Sequence, residues 1–298
     1  MKKSPPSLPK TSTAVWKGAL YMALAMFLFG IGNALVKETT AECSVIQIIF
    51  FRSVWALVTL FIYAAYSQKL SLFKTQKPSY QLLRGTIGFI SLCAMFYSFD
   101  VLPLTDGTAL AFAAPLFITA LSYPLLKERV GWKIWIAVLI GFMGVSIMAN
   151  PSGNITFMGG LAGILSAFLE ATIAIMGRQL SRTDSPVTTT FYHTLVLTIL
   201  AALLVPFFWG SISSMNFLLL IAIGLVSAIG QVFMVLAYSM APAAVIAPLL
   251  YTLMIWASLF GYLRWEESLG LNLLLGTPIV IAAGGYIIYQ QSRTKLSR

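Results

Sequence analysis

Two stretches decide how this chain folds: "FYSFDVLPLTDGTALAFAAPLF" (Phe96–Phe117) and "AYSMAPAAVIAPLLY" (Ala237–Tyr251). Each sets Tyr-Ser at the end of one apolar run and a proline, Pro115 or Pro248, inside the next. A glutamate follows where that run stops, Glu128 in "LLKERVGW" and Glu267 in "LRWEESLG", and then comes a last glycine-bearing run. Landmarks repeated in the same order about 140 residues apart mark an internal repeat, so the chain reads as two related halves.

The composition says what the halves are made of. Hydrophobic residues make up 59% of the 298 and charged residues 9%, whereas a soluble domain carries about 25% charged residues. A membrane-crossing helix needs about 20 mostly apolar residues. Ten segments qualify: 16–36, 45–66, 81–99, 104–125, 132–149, 158–177, 187–209, 216–238, 242–263 and 270–290. With five crossings per half, the second copy enters from the opposite side. The expected fold is an all-α polytopic membrane protein of ten transmembrane helices, built as two inverted-topology five-helix repeats. Such repeats place a substrate site near the midplane, between the halves. The expected organisation is a disordered, Pro-rich cytoplasmic tail (1–15), a first repeat (16–150), a second repeat (151–290) and a short cytoplasmic tail (291–298).

The net charge of +10 has a topological meaning. With a cytoplasmic N-terminus, all but three of the 19 Lys and Arg residues fall on the inside; the exceptions are Lys37, Arg264 and the intramembrane Arg52. That is the positive-inside pattern. It puts both termini in the cytoplasm of a bacterial inner membrane and sets the basic residues against anionic headgroups rather than nucleic acid. Two cysteines (Cys43, Cys93), one histidine (His193) and no Walker loop leave no disulfide framework, metal site, ATP site or cofactor motif. No clustered His or Asp ligands suggest a membrane enzyme, and no repeated filter sequence suggests a channel.

"FFR" (Phe50–Arg52), "LRG" (Leu83–Gly85), "PLF…LLKERVGW" and the Ala-Pro, Tyr251, Trp256, Gly261-Tyr262, Glu-Glu series from Ala247 to Glu267 resemble the drug/metabolite transporter superfamily, EamA type, over residues 16–290. Within it, "TDGTALAFAAPLF" and "FYH…APLLY" look most like S-adenosylmethionine uptake transporters. The resemblance implies an inner-membrane carrier of small metabolites, driven by an ion gradient or by exchange.

Ionisable residues inside a membrane are expensive and point to function. Glu170, in "AFLEATIAIMGR" (Ala167–Arg178), shares a helix face with Gly159, Gly163, Ser166, Ala174 and Gly177. Such small residues mark an inward face. Two readings stand: a structural carboxylate capped by Ser, Thr or Arg, or a site for a cationic group or a coupling proton. Arg52 is a candidate for a substrate carboxylate, for pairing with Glu170, or for snorkelling outward. Asn33 and Gln231 can hydrogen-bond a ligand or glue helices together. Tyr97, Tyr238, Tyr251 and Trp256 are candidates for an aromatic box around a cation, against plain packing. Tyr192 is the candidate that the family pattern implies; His193 departs from that pattern and reads as interfacial and solvated. Pro115 and Pro248 are candidate hinges inside their helices. Glu128, Glu266 and Glu267 read as ion-pair partners of the neighbouring Lys127, Arg129 and Arg264, and Asp100 and Asp106 as acids of the outer mouth. The expected cargo is a small zwitterion or cation, such as an amino acid or S-adenosylmethionine; an exporter of amino acids or toxic amines is the other reading. The site lies within one chain, so a monomer or a homodimer is expected.

Overall fold

A computed structural model describes residues 12–40, 42–66, 73–102, 107, 110–128, 130–149, 156–266 and 271–294. The described residues form α1 (Ser12–Thr39), α2 (Val45–Tyr66), α3 (Pro78–Val101), α4 (Ala114–Leu126) and α5 (Trp132–Ala149) in the first half. The second half holds α6 (Phe157–Leu180), α7 (Pro186–Leu204), α8 (Ser214–Met240), α9 (Thr252–Trp265) and α10 (Leu271–Thr294). These ten helices correspond to the ten expected spans, because lipid requires backbone groups to be satisfied within each segment. The first eleven residues of the N-terminal tail, Asp106, Arg129, Glu267 and the last four residues lie outside the described residues, as does the side chain of Asp100.

Local chemistry sets the helix starts. Thr156, Ser185 and Ser213 accept hydrogen bonds from the N–H groups of Gly159, Thr188 and Asn216, which is the N-cap geometry. Pro78 and Pro186 occupy first-turn positions, where a missing N–H costs nothing. Two corrections concern the prolines. Pro115 lies in the first turn of α4 and not inside it. Pro248 lies in a 3-10 turn, Ala247–Tyr251, that joins the short helix Ala243–Ile246 to α9. Neither therefore kinks a continuous α-helix.

The repeat is visible in the packing. α1 packs on α8 as α6 packs on α3, α2 on α8 as α7 on α3, and α1 on α9 as α6 on α4. The α2–α7 and α5–α10 contacts are their own mates. Among the described residues, the non-glycine positions with positive φ are Lys127 (57°) and Glu266 (53°). They end α4 and α9, the equivalent helices of the two halves, with the same left-handed C-terminal turn.

Packing is unequal at the two ends of the bundle. At the end that carries both termini, one core joins the halves: Val15, Met22, Ile118, Val138, Ile175, Ala237 and Ile287 belong to it. At the far end the buried residues separate into two clusters. One lies among α1, α2 and α8 (Cys43, Ile48, Leu220, Ile223) and the other among α5, α10 and the 3-10 turn (Val145, Met148, Tyr251, Val280). The inward stripe of α1 records the change. Val15, Met22 and Met26 are at most 2% exposed, Phe29 is half-buried, and Asn33 is exposed. The core is continuous at the termini-bearing end and divided at the other.

Polar contacts lock the closed end. Arg178, 1% exposed, donates through Nε to Glu128 Oε1 at 3.1 Å and through Nη1 to the carbonyls of Tyr238 and Ser239. The second oxygen of Glu128 accepts the N–H of Ala243 at 3.0 Å. Asp184, in the α6–α7 turn, accepts from Thr75, from Gln81 (2.8 Å) and from the Gln76 N–H (3.1 Å). Glu128 is thus corrected: among the described residues it pairs with Arg178 across the halves. Arg264 pairs with Glu38 at 2.7 Å in an exposed setting.

Two predictions test this asymmetry. Arg178→Ala strands Glu128 in the core and costs about 3–5 kcal/mol, so thermal unfolding of the purified protein shifts down sharply, whereas exposed Arg182→Ala leaves it in place; equal shifts contradict the lock. In a thiol-labelling assay, Asn33→Cys reacts with a water-soluble maleimide and Met22→Cys, on the same helix face, does not; equal labelling contradicts the uneven closure. Native Cys43 is a slow background, because burial and then the neighbouring Glu42 push its thiol up.

Candidate functional site

Glu170 sits on a stripe whose other members, Gly159, Gly163, Ser166, Ala174 and Gly177, are all buried, yet it is itself only half-buried. The stripe therefore opens at the carboxylate. Among the described residues neither a hydrogen bond nor a direct ion pair reaches it. The reading of a carboxylate capped by Ser, Thr or Arg does not hold for those residues. The charges that act on it are Arg84 of α3 first and Arg52 of α2 second.

Arg84 is the residue that sequence reasoning missed. It was expected among the basic residues of the cytoplasmic side; it is 1% exposed and lies inside the bundle. Its Nε donates to the Ile173 carbonyl at 3.2 Å, and its guanidinium lies over Gly177, so α3 is tied to the Glu170 helix. The helix begins at Pro78, three residues earlier than the expected span at 81, which carries Arg84 about 4.5 Å deeper at 1.5 Å per residue.

His193 was also misplaced. It is not a solvated interfacial group: it lies half-buried on α7 with its Cε1 against Gly88 of α3, where an added Cβ would meet it at 2.5 Å. Val196, one turn on, meets Gly85 in the same way. These two glycines let α7 approach α3 closely. Arg84 and Arg52 both act on His193, and Tyr238 of α8 shares the field of Glu170 and Arg84. Five helices, two from the first half and three from the second, thus deliver one polar cluster: Arg52, Arg84, Glu170, His193 and Tyr238. Three of its atoms, Arg84 Nη1, His193 Nδ1 and Tyr238 Oη, are buried without a hydrogen-bond partner among the described residues.

The other candidates are dispersed. Asn33 lies exposed toward the far end of α1, on the face that is buried at Met22 and Met26. Gln231 is half-buried on α8, next to Gly230, which abuts Phe29 of α1. Tyr192 donates to the Phe73 carbonyl at 2.9 Å, a tie to the segment before α3. The aromatic box does not assemble. Tyr97 is 49% exposed, on the face of α3 opposite the buried Ser91 and Ser98. Tyr251 is fully buried against Gly141 and Phe112 in the far-end core. Trp256 packs edge-on against Phe27 (4.9 Å between centroids) where α9 crosses α1 at Gly30. Of the four aromatics, Tyr238 alone joins the charged cluster. No group of His, Cys, Asp and Glu able to hold a metal ion occurs among the described residues.

Comparison with known proteins places this architecture. The chain is 31% identical over 271 residues to the pseudopaline exporter CntI of Pseudomonas aeruginosa, a match covering 89% of this chain and 94% of that one. It is 25% identical to the S-adenosylmethionine uptake transporter of Rickettsia prowazekii, covering 94% and 95%, and 29% identical to an uncharacterized transporter of Helicobacter pylori, covering 90% and 93%. One solved crystal structure shares the fold with a TM-score of 0.79 at 16% identity, covering 95% of this chain and 99% of that chain. The family model matches twice, at residues 16–150 and 157–289, and the chain is a multi-pass membrane protein that belongs to the EamA-like transporter family.

Proposed function

We propose that this protein is a secondary active transporter that moves a small carboxylate-bearing zwitterion by alternating access. The observation that carries the proposal is the cluster of Glu170, Arg84 and Arg52, held inside the bundle where the two halves meet. Membrane-embedded charges are costly and rarely face lipid. Here a half-buried carboxylate without a direct partner among the described residues lies in the field of two guanidiniums. Glu170 receives the ammonium of the cargo or a coupling proton, and the arginines receive its carboxylate through charge-assisted hydrogen bonds.

The uneven closure supports the alternating part. Arg178, Glu128 and the joined core hold the termini-bearing end, while the far end is split. The site then exchanges with one side at a time. The protein works in a bacterial inner membrane with both termini cytoplasmic; the Lys and Arg distribution supports this even with Arg84 and Arg178 taken out of the tally. Anionic headgroups meet the remaining basic residues on that face, and a single copy contains a complete site. Export is the second reading, favoured by the 31% identity to an exporter; the direction follows from gradients and coupling rather than from the fold.

Counterflow in proteoliposomes tests the proposal. Radiolabelled zwitterion enters faster when unlabelled substrate is loaded inside, and Glu170→Gln lowers the rate by at least about tenfold and flattens its pH dependence. Unchanged transport with unchanged pH dependence in Glu170→Gln contradicts it.

A further inference from the structure

The charges of the cluster do not balance. Glu170 stands against two guanidiniums, Arg84 and Arg52, so an ionised carboxylate leaves the cluster at +1. The repeat explains how the positive side is assembled. "FFR" (Phe50–Arg52) and "FYH" (Phe191–His193) are separated by the same 141 residues as Tyr97-Ser98 and Tyr238-Ser239. Arg52 and His193 are therefore inverted mates, on α2 and α7, which pack against each other. Arg84 has no charged mate: the residue at the same offset is Leu225.

The buried polar atoms point the same way. Arg84 Nη1 and Tyr238 Oη have N–H or O–H bonds to offer and no partner, and His193 Nδ1 is buried without one as well. A buried donor left unmatched is destabilising, and native structures leave few. A carboxylate has only acceptor sites and fits all three when His193 carries its proton on Nδ1.

We propose that the cargo carries two carboxylates for each cationic group, a net charge of −1. The inference rests on the carrier reading above and names its substrate class. Its ammonium meets Glu170, one carboxylate meets Arg52, and the other meets Arg84, His193 and Tyr238. Cargo and cluster are then neutral together, the arrangement a low-dielectric interior favours. A simple amino acid leaves the loaded site at +1, and a net cationic sulfonium amino acid leaves it at +2.

Binding to the purified full-length protein tests this with size-matched pairs, L-glutamate against L-glutamine and N-carboxymethyl-L-methionine against its amide N-carbamoylmethyl-L-methionine, and with S-adenosylmethionine. Wild type binds the dicarboxylate of each pair at least about tenfold tighter and S-adenosylmethionine more weakly than either. Arg84→Gln makes the cluster neutral, so its preference moves to the monocarboxylate member. Arg84→Lys keeps the charge and the wild-type preference. Should Arg84→Gln fail to fold, Arg52→Gln makes the same one-charge change from another helix. Tighter or equal binding of the monocarboxylates or of S-adenosylmethionine to wild type overturns the charge assignment, while counterflow of the bound zwitterion leaves the carrier standing. Absence of counterflow with every probe overturns the carrier reading itself.

Discussion

A carboxylate and two guanidiniums held away from bulk water constrain everything around them. Each ion loses hydration when it enters the hydrocarbon thickness, and only other charges, dipoles or an internal aqueous cleft offset that loss. The bundle supplies the charges and the dipoles. Glycines at 85 and 88 bring α7 onto α3, so that His193 and Arg84 share a space. The Ile173 carbonyl accepts the Arg84 Nε. Glu170 is the half-buried member of a stripe that is otherwise packed shut. Removing one of these features strands a charge, so the site and the helix packing form one problem with one solution.

The inverted repeat makes that solution switchable. Two equivalent helix hairpins end in equivalent left-handed turns at Lys127 and Glu266. The residue after Lys127, Glu128, is engaged by Arg178, and that engagement closes the termini-bearing end. A bundle whose halves make mate-for-mate contacts has a second arrangement of similar energy in which the halves exchange packing. Symmetry of this kind is what the proposed alternating access requires. The asymmetric members, Glu170 and Arg84, lie where the pseudo-symmetry breaks, which is where specificity has to reside.

Much of this was legible in the chain. The ten spans came from apolar length, the repeat from Tyr-Ser and proline landmarks, and Glu170 from its stripe of small residues. Those signals are local and periodic. Arg84 was hidden by one helical turn: beginning the third span at 81 leaves it at the membrane edge, while Pro78 at the first helical position puts it within. His193 was hidden because its depth depends on close packing against Gly88, a contact between helices distant in sequence. The Arg178–Glu128 pair spans 50 residues and carries no sequence mark beyond two charged letters. Tyr97, Tyr251 and Trp256 are aromatic on paper and differ only in which way their helix faces turn, which tertiary packing decides.

The central claim is that Glu170 and Arg84 act as one electrostatic unit. A double-mutant cycle in thermal stability, combining Glu170→Gln and Arg84→Gln, measures it directly. The account predicts non-additivity of about 1–3 kcal/mol, the double variant losing less than the two single variants summed. Additivity within about 0.5 kcal/mol would mean that the two groups do not sense each other, and would contradict it.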